Sequence, residues 1–131
     1  EISLGLVGSE MCIRDRIHMA VEKSLVTRST ALLVLKLLEQ EDMYGYRMIE
    51  ELARRSDNVF ALKAGTLYPL LHQLEGQGMI RVYELEAENG RMRKYYSLTK
   101  AGRGTLVQKE AEWDMFAGAV NRVLKGGTGI A

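Results

Sequence analysis

Leucines at 67, 70, 71 and 74 recur at the i, i+3, i+4, i+7 spacing of a helix with one apolar face. The pattern predicts a short amphipathic helix over residues 64–78. Its other side is left to Thr66, Tyr68, Pro69, His72, Gln73 and Gln77, with no acid among them. Hydroxyl, imidazole and amide groups of that kind reach base edges and phosphates. A polar outer face is also what ordinary surface helices carry, so the segment that follows decides the matter. Residues 80–85 and 91–98 alternate in character and are rich in β-branched and aromatic side chains, which predicts two strands. Asn89-Gly90 between them is a strong tight-hairpin signal, because both residues tolerate positive φ.

Three further helices follow from the same pattern. Over Ser24–Gln40, Leu25, Ala31, Leu32, Leu33, Val34, Leu35, Leu37 and Leu38 cover more than half the circumference, so this helix is expected to be buried on several sides, against its own domain and a second subunit. Tyr44–Ser56 has an inner stripe of Gly45, Met48, Ile49 and Leu52. Its outer face is Arg47, Glu50, Glu51, Arg54 and Arg55, and Asp42 is placed to cap it. Gly78 stands where a left-handed residue closes the 64–78 helix. Thr99 is placed to cap a last helix that runs to about Lys125, a rod of ~40 Å at about 1.5 Å per residue. Its apolar positions Leu106, Trp113, Ala117, Val120 and Leu124 are spaced seven, four, three and four apart, with Phe116 and Val123 alongside. That spacing is a coiled-coil-like seam. A two-fold dimer is the economical way to bury it, and folding back on the chain's own domain is the alternative.

Charge is segregated along the hairpin. From Arg91 to Arg103 come Arg91, Arg93, Lys94, Lys100 and Arg103 without an acid, whereas the first strand and turn carry Glu84, Glu86 and Glu88. A polar-faced helix followed at once by a basic-tipped hairpin is the order of a winged helix-turn-helix. The fold class expected is therefore mainly α with a small β-hairpin wing: a winged helix-turn-helix over 19–99, a dimerisation helix over 100–125 and a flexible tail over 126–131.

Composition narrows the function. The 131 residues fit one domain, and the net charge of +1 means that DNA binding must come from a local patch. The single cysteine, Cys12, excludes an internal disulfide or a cysteine-built zinc site, and makes a reducing, cytoplasmic setting the expectation. No apolar run reaches the ~18–20 residues that a membrane span needs, so no membrane partner is expected. Neither a cofactor nor a metal is implied. The two histidines, His18 and His72, lack the partners of a catalytic triad. Gly102 and Gly104 lack the strand context and lysine of a phosphate loop, so the chain is not expected to be an enzyme. Residues 1–18 show no amphipathic period and no secretory pattern. His18-Met19 resembles a cloning scar, and the segment is expected to be foreign to the natural chain. A genuine N-terminal arm is the rival reading.

Met43-Tyr44-Gly45-Tyr46, the run Gly65-Thr66-Leu67-Tyr68-Pro69-Leu70-Leu71-His72-Gln73-Leu74-Glu75, Gly78-Met79-Ile80, and Arg93 to Gly102 closely resemble the PadR family of bacterial transcriptional regulators. The resemblance covers about Leu25–Leu124. The single terminal helix looks like the short-tailed branch, which dimerises through it. The resemblance implies a repressor on an inverted-repeat promoter site, released in some members by phenolic or hydrophobic cationic molecules. Ala64 stands where many members have proline before Gly-Thr-Leu-Tyr, and Met92 interrupts an often fuller basic run in the wing.

The expected DNA-binding residues are Tyr44, Lys63, Thr66, Tyr68, His72, Gln73, Arg91, Arg93 and Lys94. Thr66 and Tyr68 open the reading helix and suit phosphates or a thymine methyl, with His72 and Gln73 a turn further in. Tyr44 and Tyr46 begin a helix whose N-terminal amides suit a phosphate. At least one of Tyr44, Tyr46 and Tyr68 is expected to be partly a core residue, with Tyr46 favoured. Leu106, Trp113, Phe116, Ala117, Val120 and Leu124 are expected at the dimer interface. There Trp113 is either plain interface core or the wall of a pocket between subunits that stacks on a small planar aromatic effector. The leading function is a dimeric, sequence-specific, double-stranded-DNA-binding repressor that responds to a ligand. The alternatives are a winged-helix protein-interaction adaptor without DNA binding and a small-molecule carrier.

Overall fold

The computed structural model describes residues 23–126. In chain order the elements are α1 (Lys23–Gln40), β1 (Met43–Tyr44), α2 (Gly45–Arg55), α3 (Ala64–Gly76), β2 (Ile80–Glu86), β3 (Met92–Leu98) and α4 (Lys100–Leu124). The helical and strand segments expected from the pattern are present. Cys12 and the foreign-segment and tail expectations for 1–18 and 127–131 lie outside the described residues.

The core is built where the apolar stripes converge. α1 supplies Val34, Leu35, Leu37 and Leu38, α2 supplies Met48 and Leu52, and α3 supplies Leu67, Leu71 and Leu74. Met43, Ile80, Tyr96 and Leu98 close it from the sheet, and Leu106 from α4. Each such side chain removed from water contributes about 1.5–3 kcal/mol, which is what holds three short helices to a small sheet. Leu106 was expected on the dimer seam but is 0% exposed within its own chain, so it belongs to this core. The one-face spacing is the same for both uses, and only the packing of α4 against α1 distinguishes them.

The connections are set by hydrogen bonds at the helix ends. At the end of α2, Asn58 N–H donates to the Ala53 carbonyl at 2.8 Å, and Asp57 and Asn58 take φ of 51° and 67°. Aspartate and asparagine tolerate that left-handed region better than other side chains. Ser56 Oγ donates to the Leu52 carbonyl and accepts from Phe60 N–H, which folds the 56–63 connector back on the helix. α3 ends in the same kind of cap: Met79 N–H reaches the Leu74 carbonyl, Gly78 N–H reaches Glu75, and Gly78 has φ 78°. Asp42 does not cap α2. The helix opens at Tyr44 without a side-chain cap bond, and Asp42 instead accepts from the Tyr83 hydroxyl at 2.5 Å. Two residues ahead of α2 the chain is already a strand, which carries the Asp42 carboxylate toward the sheet rather than toward the helix amides.

The sheet is antiparallel in the order β1-β3-β2, with Tyr83 opposite Tyr95, Tyr95 opposite Tyr44 and Glu84 opposite Lys94. The hairpin turn differs from the two-residue form implied by Asn89-Gly90. Gly90 N–H donates to the Ala87 carbonyl, Ala87 N–H donates to Arg91, and Gly90 has φ 82° while Asn89 stays outside the positive region. This is a three-residue loop with a glycine bulge. Asn89 serves it by accepting from Arg91 N–H through its side chain. Thr99 caps α4 as expected, its Oγ1 accepting from Gly102 N–H at 3.0 Å. Its hydroxyl also donates at 2.6 Å to the Gly78 carbonyl, which ties the start of α4 to the end of α3. A side chain at Gly102 would overlap the Met79 carbonyl, so this close seat requires glycine.

Candidate nucleic-acid interface

α3 presents Leu67, Leu71 and Leu74 inward and leaves Thr66, His72 and Gln73 exposed on the opposite side. Lys63 precedes the helix, extended and exposed, at its N-cap position. The first turns of α2 and α3 carry no acidic residue, so nothing on the helices themselves opposes an anion at their positive ends. Pro69 lies inside α3 and has no N–H for the Gly65 carbonyl one turn back, and both residues are exposed to water.

The tyrosines divide differently from expectation. Tyr46, favoured for the core, is 66% exposed, whereas Tyr44 and Tyr68 are half-buried. The reason lies in Gly45. Its missing side chain leaves the space that the Tyr68 phenol fills, so Tyr68 lies across the start of α2 and Tyr46 is turned outward. Tyr44, Tyr46 and Tyr68 then line a cleft of about 280 Å³ together with Met92, Arg93 and Lys94 of the wing. Of the DNA-binding residues expected from sequence, Tyr44, Tyr68, Arg93 and Lys94 are thus brought to one place. Lys63, Thr66, His72 and Gln73 occupy the neighbouring outer side of α3, and Arg91 sits at the wing turn. Arg93 holds its guanidinium carbon 4.4 Å from the centre of the Tyr44 ring.

Sequence reasoning missed the aromatic contacts beside this cleft. Tyr83 and Tyr95 stack with centroids 5.9 Å apart, and Tyr95 meets Tyr44 edge-on at 5.4 Å. The Asp42 carboxylate that receives the Tyr83 hydroxyl pushes that phenol above its ordinary value. Strand parity puts Tyr83 and Tyr95 on single faces, but their pairing needs the hairpin register, which the turn type sets.

A second feature lies away from this face. Trp113 of α4, Leu32 and Leu33 of α1, and Val59 and Phe60 of the connector line an apolar groove of about 440 Å³, rimmed by Lys36, Glu110 and Asp114. Lys36 Nζ is 3.3 Å from Glu110 and 2.8 Å from Glu39, and these carboxylates raise its pKa. The groove is formed within one chain. Phe116, expected in the pocket wall, instead tilts against Trp113 with centroids 6.0 Å apart. Ala117, Val120 and Leu124 continue along α4 outside the groove. Phe116 and Leu124 are 57% and 75% exposed. The connector residues Val59 and Phe60 were not anticipated, because nothing in their local pattern distinguishes them from a loop.

A helix that exposes Thr66, His72 and Gln73 opposite the core, a wing whose cations meet Tyr68 of that helix, and a long terminal helix define a winged helix-turn-helix protein of the DNA-binding regulator class. Residues 34–108 match the Transcriptional regulator PadR-like family, and the chain belongs to that family. It is similar to the transcriptional regulator Rv3488 of Mycobacterium tuberculosis, at 35% identity over 75 residues, which are 57% of this chain and 66% of that protein. Its structure is similar to a PadR family transcriptional regulator from Eggerthella lenta, with a TM-score of 0.72 and 31% identity over 86% of this chain and 96% of that one. A PadR family regulator from Clostridium difficile gives a TM-score of 0.65 at 33% identity over 73% and 98% of the two chains. The chain is therefore a PadR-family transcriptional regulator, and these relatives are regulators rather than enzymes. Among the described residues no helix is long and apolar enough to cross a membrane, and no cluster of metal-ligating side chains occurs.

Proposed function

We propose that the protein is a cytoplasmic, dimeric repressor that holds an inverted-repeat promoter site and releases it when a small planar aromatic molecule enters the Trp113 groove. The observation that carries the DNA half of this reading is the cleft in which Tyr68 of α3 meets Tyr44 of β1 and Arg93 and Lys94 of the wing. Lys63, Thr66, Tyr68, His72 and Gln73 meet the major groove or its phosphates, and Arg91, Arg93 and Lys94 grip the flanking backbone. The exposed run of Trp113, Phe116, Val120, Val123 and Leu124 on α4 supports self-association, since a stripe of that length left in water is costly. Two reading helices joined this way engage half-sites about 34–36 Å apart, or a multiple of that spacing.

A mobility-shift titration on the control region upstream of the chain's own gene, repeated at several salt concentrations, tests the reading. Tight binding that weakens steeply with salt is expected, because each neutralised phosphate releases counterions. Absence of binding in dilute buffer leaves the adaptor reading instead. Quenching of Trp113 by planar cations or phenolic acids, with loss of the shifted band, tests the release step. Quenching without any change in DNA affinity favours a carrier.

A further inference from the structure

The outer half of the wing has little beneath it. Leu85 and Met92 are 48% and 58% exposed, and the buried sheet residues Ile80, Tyr96 and Leu98 all lie at its root. Something else must fix the angle at which β3 presents its cations. On the sheet face that carries Tyr44, Tyr83 and Tyr95, the contacts close into a ring. The Tyr83 hydroxyl donates to Asp42 Oδ2, Tyr83 stacks on Tyr95, and Tyr95 meets Tyr44 edge-on. Tyr44 and Asp42 are joined through Met43, and Tyr44 leads directly into α2. The ring thus spans all three strands and ends at the first residue of the helix-turn-helix. Arg93, two residues before Tyr95 on β3, rests on the Tyr44 ring at 4.4 Å.

The geometry points to Asp42, Tyr83 and Tyr95 as positioning residues: the ring they form with Tyr44 holds the wing at a fixed angle to the helix-turn-helix and seats Arg93 for DNA. None of the three needs to touch a phosphate. Asp42 is an acid that no phosphate would favour, and the Tyr83 hydroxyl is already committed to it. The positioning role rests on the DNA-binding reading above, whereas the ring's hold on the wing does not.

The full chain is compared with Y83F, Y95L and Y95F in two measurements. The first is amide hydrogen exchange without DNA. The 84–94 amides of Y83F and Y95L are expected to exchange faster, while α1 and α3 keep their wild-type rates and Y95F, which retains the ring face, matches wild type. The second is affinity for a duplex of the upstream control region across salt. Loss of one hydrogen bond predicts weakening of about three- to tenfold for Y83F, more for Y95L and none for Y95F. The salt slope should not change, because no phosphate contact is removed. Unchanged wing exchange in Y83F and Y95L overturns the ring as a support. Faster exchange with undiminished affinity overturns the positioning role, and a flatter salt slope in Y83F makes Tyr83 a phosphate contact instead. A wild-type chain that ignores the duplex sinks the DNA reading and the positioning role with it, while the exchange rates still decide whether the ring supports the wing.

Discussion

The two halves of α4 are one continuous helix with opposite surroundings. In the first, Gly102 and Leu106 are buried against the chain's own core. In the second, Trp113, Phe116, Val123 and Leu124 are 45%, 57%, 77% and 75% exposed. The hairpin repeats the contrast, buried at Ile80 and Leu98 and exposed from Glu88 to Arg93. Each element is rooted in the domain at one end and offers the other end outward. Stability and recognition are therefore separable along a single helix and a single strand pair, and substitutions at the two ends should fail in different ways.

The largest effect is expected at the root. Leu106→Ala empties a fully buried site and should cost about 2–5 kcal/mol of stability, read as a lowered denaturant midpoint. If that midpoint stays put, the first half of α4 is not part of the core. At the free end, Phe116→Asp should leave the fold intact in circular dichroism and weaken self-association by about 2 kcal/mol or more, measured by sedimentation over a concentration series. A loss of folding there would erase the distinction between the halves. Arg93→Ala with Lys94→Ala should weaken binding to every duplex alike and reduce the magnitude of the log–log salt slope by about two. Thermal stability should be untouched, since both side chains are exposed. A wing that grips phosphates cannot keep its wild-type slope after losing both.

The smallest effect concerns the surface of α2. Glu51 accepts from Arg54 and Arg55, and these guanidiniums hold its carboxyl down at about 2 from an ordinary 4.5. A carboxylate depressed on folding stabilises the folded state above its unfolded value, and that contribution disappears as pH falls from about 4.5 to about 2. Glu51→Gln should therefore lower stability slightly at neutral pH, flatten the acid limb in that window and converge on wild type near pH 2. An acid limb identical to wild type would show that the cluster does not stabilise the fold.

The helices were legible because α2, α3 and α4 carry apolar stripes at helical spacing and α1 is apolar around most of its circumference, and the caps at Gly78 and Thr99 follow from local chemistry alone. The class of site was legible too, in the unacidic side of α3 and the basic second strand. What was not legible depends on contacts between distant segments. Leu106 has the same spacing as the seam beyond it, and only the packing of α1 assigns it to the core. Tyr46 yielded its expected place to Tyr68 because Gly45 opens space that no periodicity reports. Asp42 lies correctly for a cap but immediately precedes β1, whose partners Tyr95 and Tyr96 are more than fifty residues away. The aromatic ring depends on a hairpin register set by a three-residue loop where the Asn-Gly pair implied a two-residue turn.

Thr99 and Gly102 rivet the start of α4 to Gly78 and Met79, which follow the end of α3. The base of the terminal helix is therefore held directly against the end of the reading helix. α4 has 25 residues, an arm of roughly 37 Å. A tilt of about 5° at its far end corresponds to a shift of about 3 Å over that length. In the dimer proposed above, a molecule wedged beside Trp113 would need no long relay to spoil the spacing of two reading helices, since a few degrees between the partners would carry them out of step with the turns of the duplex.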